Sequence, residues 1–142
     1  MTSPLIDVDE LSALTDDARL ADMRWYLGSP GGGHRAYHEG HLPGAVFVDL
    51  DRHLSVPGGP GRHPLPERSV FAATMGRLGF ADDQLIVAYD DAGGTIAARL
   101  WWMLRDIGHD AVRVLDGGVQ AWVAAGRRLS TDTADMTPRT LT

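Results

Sequence analysis

The chain has 142 residues, which suits one domain with a hydrophobic core of its own. Its net charge of −6 argues against binding to nucleic acid or an anionic membrane, because no basic patch is available to neutralise phosphates. The sequence contains no cysteine, which excludes disulfides, zinc–thiolate sites and thiol catalysis by this chain. It also lacks an 18-residue apolar stretch and an apolar export segment, so we expect a cytoplasmic protein.

Apolar runs alternate with helical patterns along the chain. We predict strands at residues 19–23, 45–50, 85–89 and 111–115, and helices at residues 9–14, 33–39, 67–78, 95–107 and 118–125. Gly79, Gly108 and Gly126 predict the C-terminal ends of the last three helices. Residues 28–33 and 51–66 are rich in Pro and Gly and are predicted as loops. This alternation predicts an α/β fold with a mainly parallel central sheet.

The segment 85–104 combines a buried strand, a glycine-containing turn and a helix. The turn reads Asp90-Asp91-Ala92-Gly93-Gly94-Thr95. Such a turn directs several backbone N–H groups and the positive helix end into one concavity, which can hold an anion. Asp90 and Asp91 could form a catalytic acid pair, a phosphoryl acceptor or a magnesium site, although an Asp-based phosphohydrolase would need a lysine that the chain lacks. We favour the alternative that Asp90 caps its own loop, as Asp does in turns.

Two other polar groups have structural alternatives that we favour. His34, His38 and His41 could present imidazoles to a metal, but no third ligand or supporting carboxylate is placed convincingly. We therefore predict no metal site and no cofactor. Arg24 could bind an anion, but a buried ion pair with Asp22 explains it better, because buried charges need partners.

Four motifs in order along the chain resemble those of a rhodanese (sulfurtransferase) domain. They are DMRW at 22–25, GHLPGA at 40–45, YDDAGGT at 89–95 and LDGGVQAW at 115–122. The resemblance covers residues 5–126. The RLWWMLR helix at 99–105 and the Tyr89-Asp90 pair resemble the catalytically silent N-terminal half of tandem thiosulfate and 3-mercaptopyruvate sulfurtransferases. The resemblance implies a three-layer domain whose mainly parallel, five-stranded sheet is flanked by helices.

The resemblance also implies roles for particular residues. A cysteine thiolate of the second half carries the sulfur as a persulfide in these enzymes. Asp90 takes the nucleophile-equivalent position here, so we expect no catalytic residue in this chain and a degenerate anion loop at Asp90, Asp91, Ala92, Gly93, Gly94 and Thr95. Asp51 and His63 resemble a pair that faces the cleft and helps to handle substrate. Without the resemblance, both would be ordinary surface residues.

The resemblance divides the chain into a rhodanese-like domain at 1–129 and a polar tail at 130–142 that leads toward a second domain. Trp101 and Trp102 point about 100° apart on a helix, so one of them is expected to face a neighbour. That neighbour is a second rhodanese domain or another copy of the chain. The sulfur donor, thiosulfate or 3-mercaptopyruvate, and the acceptor, cyanide or a thiol, stay open. The alternative function is a free-standing, inactive binding or regulatory module.

Overall fold

The computed structural model describes residues 3–14, 17–56 and 64–142. Within them a single parallel sheet has the strand order β1-β5-β4-β2-β3. The strands are β1 (Leu5–Ile6), β2 (Ala18–Asp22), β3 (Val46–Phe47), β4 (Leu85–Tyr89) and β5 (Val112–Leu115). The predicted α/β class and the five-stranded sheet are confirmed.

Helices cover both faces of this sheet. They are α1 (Val8–Ala13), α2 (Gly32–Glu39), α3 (Leu50–His53), α4 (Arg68–Arg77), α5 (Ala97–Asp106) and α6 (Gly118–Ala124). Successive side chains of a strand point to opposite faces. In β4, Ile86 and Ala88 therefore belong to the apolar cluster under α4 and α5, whereas Val87 and Tyr89 belong to the cluster under α1, α2 and α6. Among the described residues, no helix is long and apolar enough to cross a membrane.

Two elements differ from the sequence-based prediction. Strand β1 was not predicted, because two residues are too few to show a hydrophobic period. The predicted strand at 45–50 ends at Phe47, and its last predicted residue, Leu50, begins the helical turn α3, which continues into the predicted loop. The side chain of Asp49 accepts the N–H of Asp51 at 2.9 Å and so caps that turn. The chain thus leaves the sheet after Phe47 and turns into α3.

The C-terminal segment lies against the domain. His41 and Ser130 exchange two backbone hydrogen bonds of 2.9 and 2.7 Å, and the N–H of Arg139 donates to the carbonyl of Gly76 in α4 at 2.8 Å. A Cβ at Gly76 would lie 2.6 Å from the carbonyl oxygen of Arg139, so the segment and the helix touch through their backbones. Leu141 is buried in the cluster under α4 and α5. That residues 130–142 lead to a second domain stays a prediction.

Candidate functional site

The carboxylate of Asp90 is enclosed by the loop that it begins. Only 1% of this residue is exposed, directly after β4. One oxygen, Oδ1, accepts the N–H groups of Ala92 and Gly94, both at 2.9 Å. The other, Oδ2, accepts those of Ile96 at 2.9 Å and Ala97 at 2.8 Å. The N–H groups that the sequence suggested as an anion cradle are thus directed at the chain's own carboxylate.

Glycines allow the loop to wrap around that carboxylate. Gly93 and Gly94 have φ values of +71° and +87°, a region that other residues rarely adopt. The chain then enters α5, whose first N–H groups have no partner within the helix. Asp90 supplies the acceptor for two of them, which confirms the interpretation of Asp90 as a cap. With both oxygens engaged and the residue buried, Asp90 is poorly placed to act as a base or nucleophile.

The LDGG motif after β5 supports the same loop from the other side. A Cβ at Gly118 would lie 2.2 Å from the carbonyl oxygen of Asp90, so only glycine fits there. That carbonyl accepts the N–H of Val119 at 3.0 Å. The side-chain amide of Gln120 donates to the carbonyl of Asp91 at 2.8 Å. The motif therefore has a structural explanation: it brings α6 close to the Asp90 loop.

A second buried carboxylate lies at the end of the neighbouring strand. Asp22 is fully buried at the end of β2, and the guanidinium of Arg24 contacts its Oδ2 at 2.7 Å. The hydroxyl of Tyr89 also donates to Asp22, at 2.7 Å, and accepts the N–H of Leu42 at 3.1 Å. Burial first, then the charge of Asp22, raises the pKa of Tyr89 well above its usual value. The buried ion pair predicted for Asp22 and Arg24 is confirmed.

Two consecutive aromatic residues after β2 connect the predicted site regions. The indole N–H of Trp25 donates to Asp51 at 2.8 Å, and the hydroxyl of Tyr26 donates to Asp91 at 2.6 Å. Burial, followed by the hydrogen bond to Asp91, raises the pKa of Tyr26 to about 12. Sequence reasoning assigned no role to either residue. Trp25 ends the DMRW motif and Tyr26 follows it directly, and this position is the signal that could have found them.

The two predicted substrate-handling residues have different outcomes. Asp51 lies in the first turn of α3 and is exposed. Through Trp25 it is connected to the end of β2, the strand that pairs with β4 and therefore ends beside the Asp90 loop. His63 lies outside the described residues. A joint role for Asp51 and His63 stays a prediction.

The three histidines considered as metal ligands, His34, His38 and His41, line a cavity of about 350 Å³ between α2, α3 and the C-terminal segment. His41 is buried, and its two ring nitrogens contact the carbonyl oxygens of Tyr37 and Asp132, both at 2.9 Å. The Nε2 atoms of His34 and His38 lie 3.1 Å apart on the exposed side of α2. In the described ranges, no group of three or more His, Cys, Asp or Glu residues is arranged to hold a metal.

The paired tryptophans of α5 differ in exposure. Trp102 is 49% exposed, whereas Trp101 is partly buried against the core. Trp102 lies beside Leu65, Pro66 and Ile107, and together these four residues form what we call the Trp102 surface. What covers this surface stays a prediction.

Comparison with known proteins places this geometry in a family. Residues 7–125 match the rhodanese-like domain. The probable 3-mercaptopyruvate sulfurtransferase of Pseudomonas aeruginosa is 41% identical over 143 residues, covering 96% of this chain and 50% of that protein. The putative thiosulfate sulfurtransferase SseB of Mycobacterium tuberculosis is 45% identical over 132 residues, covering 89% of this chain and 46% of that protein. The chain thus spans about half the length of these curated relatives.

Solved structures agree with the sequence comparison. The 3-mercaptopyruvate sulfurtransferase of Leishmania major superposes with a TM-score of 0.86 at 33% identity, covering 97% of this chain and 39% of that one. The 3-mercaptopyruvate sulfotransferase SseA of Escherichia coli gives a TM-score of 0.82 at 32% identity, covering 99% of this chain and 57% of that one.

Proposed function

Because this chain belongs to the rhodanese-like domain family, we propose that it is the non-catalytic N-terminal domain of a sulfurtransferase. The complete protein would move sulfane sulfur from thiosulfate or 3-mercaptopyruvate to cyanide or a thiol. Its relatives carry these donors in their names, and the chain covers about half of each.

The state of Asp90 carries the proposal that this half is inactive. Sulfur transfer in the family needs a thiolate that attacks the donor sulfur and holds it as a persulfide. This sequence has no thiol, and the nucleophile-equivalent position holds a carboxylate engaged by four backbone N–H groups. A carboxylate cannot replace the thiolate, because it forms no persulfide.

The contribution that we propose for this domain lies at the rim of the site. Asp51 is exposed on α3, and the indole N–H of Trp25 donates a hydrogen bond that orients it. We assign Asp51 and His63 to the handling of the sulfur donor while the second domain supplies the thiolate.

We further propose that a second rhodanese domain covers the Trp102 surface. Half of the Trp102 side chain is exposed, and Leu65 beside it is 51% exposed. Relatives about twice as long as this chain contain the additional polypeptide that could cover it. In the chain alone, copies should associate through this surface. Sedimentation equilibrium should show self-association that Trp102→Glu abolishes; a monomer at high protein concentration contradicts the assignment.

The activity test uses this chain alone. With thiosulfate and cyanide, or with 3-mercaptopyruvate and a thiol, we expect no turnover above the rate without protein. Thiocyanate or pyruvate production that is lost on changing one residue of this chain would overturn the proposal.

The rim residues are tested in a two-domain protein that contains this domain. Asp51→Ala and His63→Ala should each lower turnover in protein that is still folded at the assay temperature, whereas Asp83→Ala, which removes another exposed carboxylate, serves as the control. Unaltered kinetics with both donors would remove Asp51 and His63 from the site.

A further inference from the structure

We propose that His34 and His38 form a binding site for a divalent transition metal of the Ni²⁺, Cu²⁺ and Zn²⁺ class. The two residues are one turn apart on α2, so their side chains share one face of the helix. Their Nε2 atoms lie 3.1 Å apart, and both residues are exposed. The pair belongs to α2, whereas Asp90 follows β4 and Asp51 lies on α3.

The distance between the two nitrogens suits chelation. With metal–nitrogen bonds of about 2.0–2.1 Å, a separation of 3.1 Å corresponds to an N–metal–N angle of about 98°. This angle lies between the values of about 90° and about 109° for octahedral and tetrahedral coordination. Without metal, the same separation fits one hydrogen bond between the rings. On binding, the donating ring moves its proton from Nε2 to Nδ1, so both rings stay neutral and each Nε2 presents a lone pair.

Neighbouring aromatic rings hold the imidazoles in place. His34 stacks on Phe47, with centroids 5.0 Å apart and planes inclined by 27°. His38 meets the ring of Tyr37 edge-on, with centroids 5.7 Å apart. Rings that are already oriented lose less rotamer freedom when a metal binds. Imidazole ligands favour zinc, copper and nickel, whereas magnesium and calcium prefer oxygen ligands.

The cavity beside the pair has room for the rest of the coordination shell. His34 and His38 line the cavity of about 350 Å³ together with Asp49, His53 and Asp132. Water can complete the coordination, and carboxylates in the same cavity can accept hydrogen bonds from metal-bound water. Two protein ligands hold a metal less tightly than the four of a structural zinc site. The site should therefore exchange its metal readily.

Isothermal titration calorimetry of the untagged chain with NiCl₂ measures the affinity and the number of sites and so tests the proposal. We expect one site in the wild type and at least tenfold weaker binding in both His34→Ala and His38→Ala. Glu39→Ala is the matched control, because it alters an exposed residue of the same helix without removing an imidazole. Its affinity should equal that of the wild type. Variants without His34 or His38 that bind Ni²⁺ as tightly as the wild type would overturn the proposal.

A measurement on the unaltered chain does not depend on how the variants fold. Substoichiometric Cu²⁺ should broaden the ring proton resonances of His34 and His38 before those of the other histidines. Earlier broadening of His53 or His109 would place the metal elsewhere and would show that the proposed pair is wrong.

Discussion

Asp22 and Asp90 lie at the ends of adjacent parallel strands and are equally buried, but they are stabilised in different ways. Asp22 is paired with a cation, the guanidinium of Arg24, and with the hydroxyl of Tyr89. The donors that we observe on Asp90 are four backbone N–H groups of its own loop and of the start of α5. Asp22 also accepts the backbone N–H of Arg24 at 3.0 Å, but its counterion and its hydroxyl donor are side chains, whereas Asp90 relies on oriented peptide groups.

The comparison shows that peptide groups can take the place of a counterion. Backbone N–H groups at the start of a helix carry partial positive charge, and several directed at one point stabilise an anion. The Asp90 loop therefore needs no arginine or lysine. Because Asp90 begins the loop whose N–H groups it accepts, the loop carries its own anion.

Removing the counterion should have the largest effect. Arg24→Met keeps most of the stem but leaves Asp22 buried without its cation, which should cost about 3–5 kcal/mol of unfolding free energy. Urea unfolding measures the loss. The double variant Asp22→Asn/Arg24→Met removes both charges and should recover part of it. A loss below about 1 kcal/mol in Arg24→Met would show that Tyr89 and the backbone suffice for Asp22.

Removing the carboxylate from its loop should have the next largest effect. Asp90→Ala leaves four N–H groups without their acceptor, and we expect a loss of about 2–4 kcal/mol, reduced where water reaches the loop. Asp91→Ala is the matched control, since it removes the adjacent carboxylate and, within the described part of the chain, the side-chain hydrogen bond from Tyr26 alone. Its expected loss is about 1 kcal/mol. Equal losses for the two variants would contradict the capping role of Asp90.

A thiol in place of Asp90 reports directly on the peptide groups. Asp90→Cys should have a thiol pKa at least one unit below the reference of about 8.5, because the N–H groups stabilise the thiolate. The pH dependence of iodoacetamide alkylation measures it. Asp91→Cys provides the control, with a pKa expected near the reference. A raised pKa at position 90 would mean that burial outweighs the peptide groups.

The smallest effect concerns the carboxylate next to Asp90. The pKa of Tyr26 is raised to about 12 by burial and by its hydrogen bond to Asp91. Because the pKa is raised in the folded state, the stabilisation that the neutral Tyr26 hydroxyl provides is complete below pH 10 and is lost as pH rises through about 12. Subtracting the ultraviolet titration of Tyr26→Phe from that of the wild type isolates this residue. Asp91→Asn should lower the pH midpoint of the Tyr26 titration. An unchanged midpoint would leave burial as the sole cause of the raised pKa.

Local interactions are the part of the site that the sequence revealed. Asp90 bonds to residues two to seven positions ahead, and Asp22 pairs with Arg24 two positions ahead, so both could be inferred from neighbouring residues. The alternation of strands and helices likewise predicted the parallel sheet, and the family resemblance implied its two helical layers.

Long-range contacts could not be inferred in this way. Trp25 reaches Asp51 across 26 positions, and Tyr26 reaches Asp91 across 65. These contacts depend on the strand order, which places β2 next to β4 although β3 lies between them in sequence. The short strand β1 escaped prediction because its pairing with β5, rather than its own sequence, makes it a strand.

The burial of Leu141 shows that the packed unit is longer than the segment that matches the family model. The match to the rhodanese-like family model ends at residue 125, yet a side chain 16 positions later completes the apolar cluster under α4 and α5. Between the two points the chain crosses the domain and bonds to Gly76. A domain boundary placed at the end of the family-model match would therefore cut off a buried side chain and a backbone contact to α4.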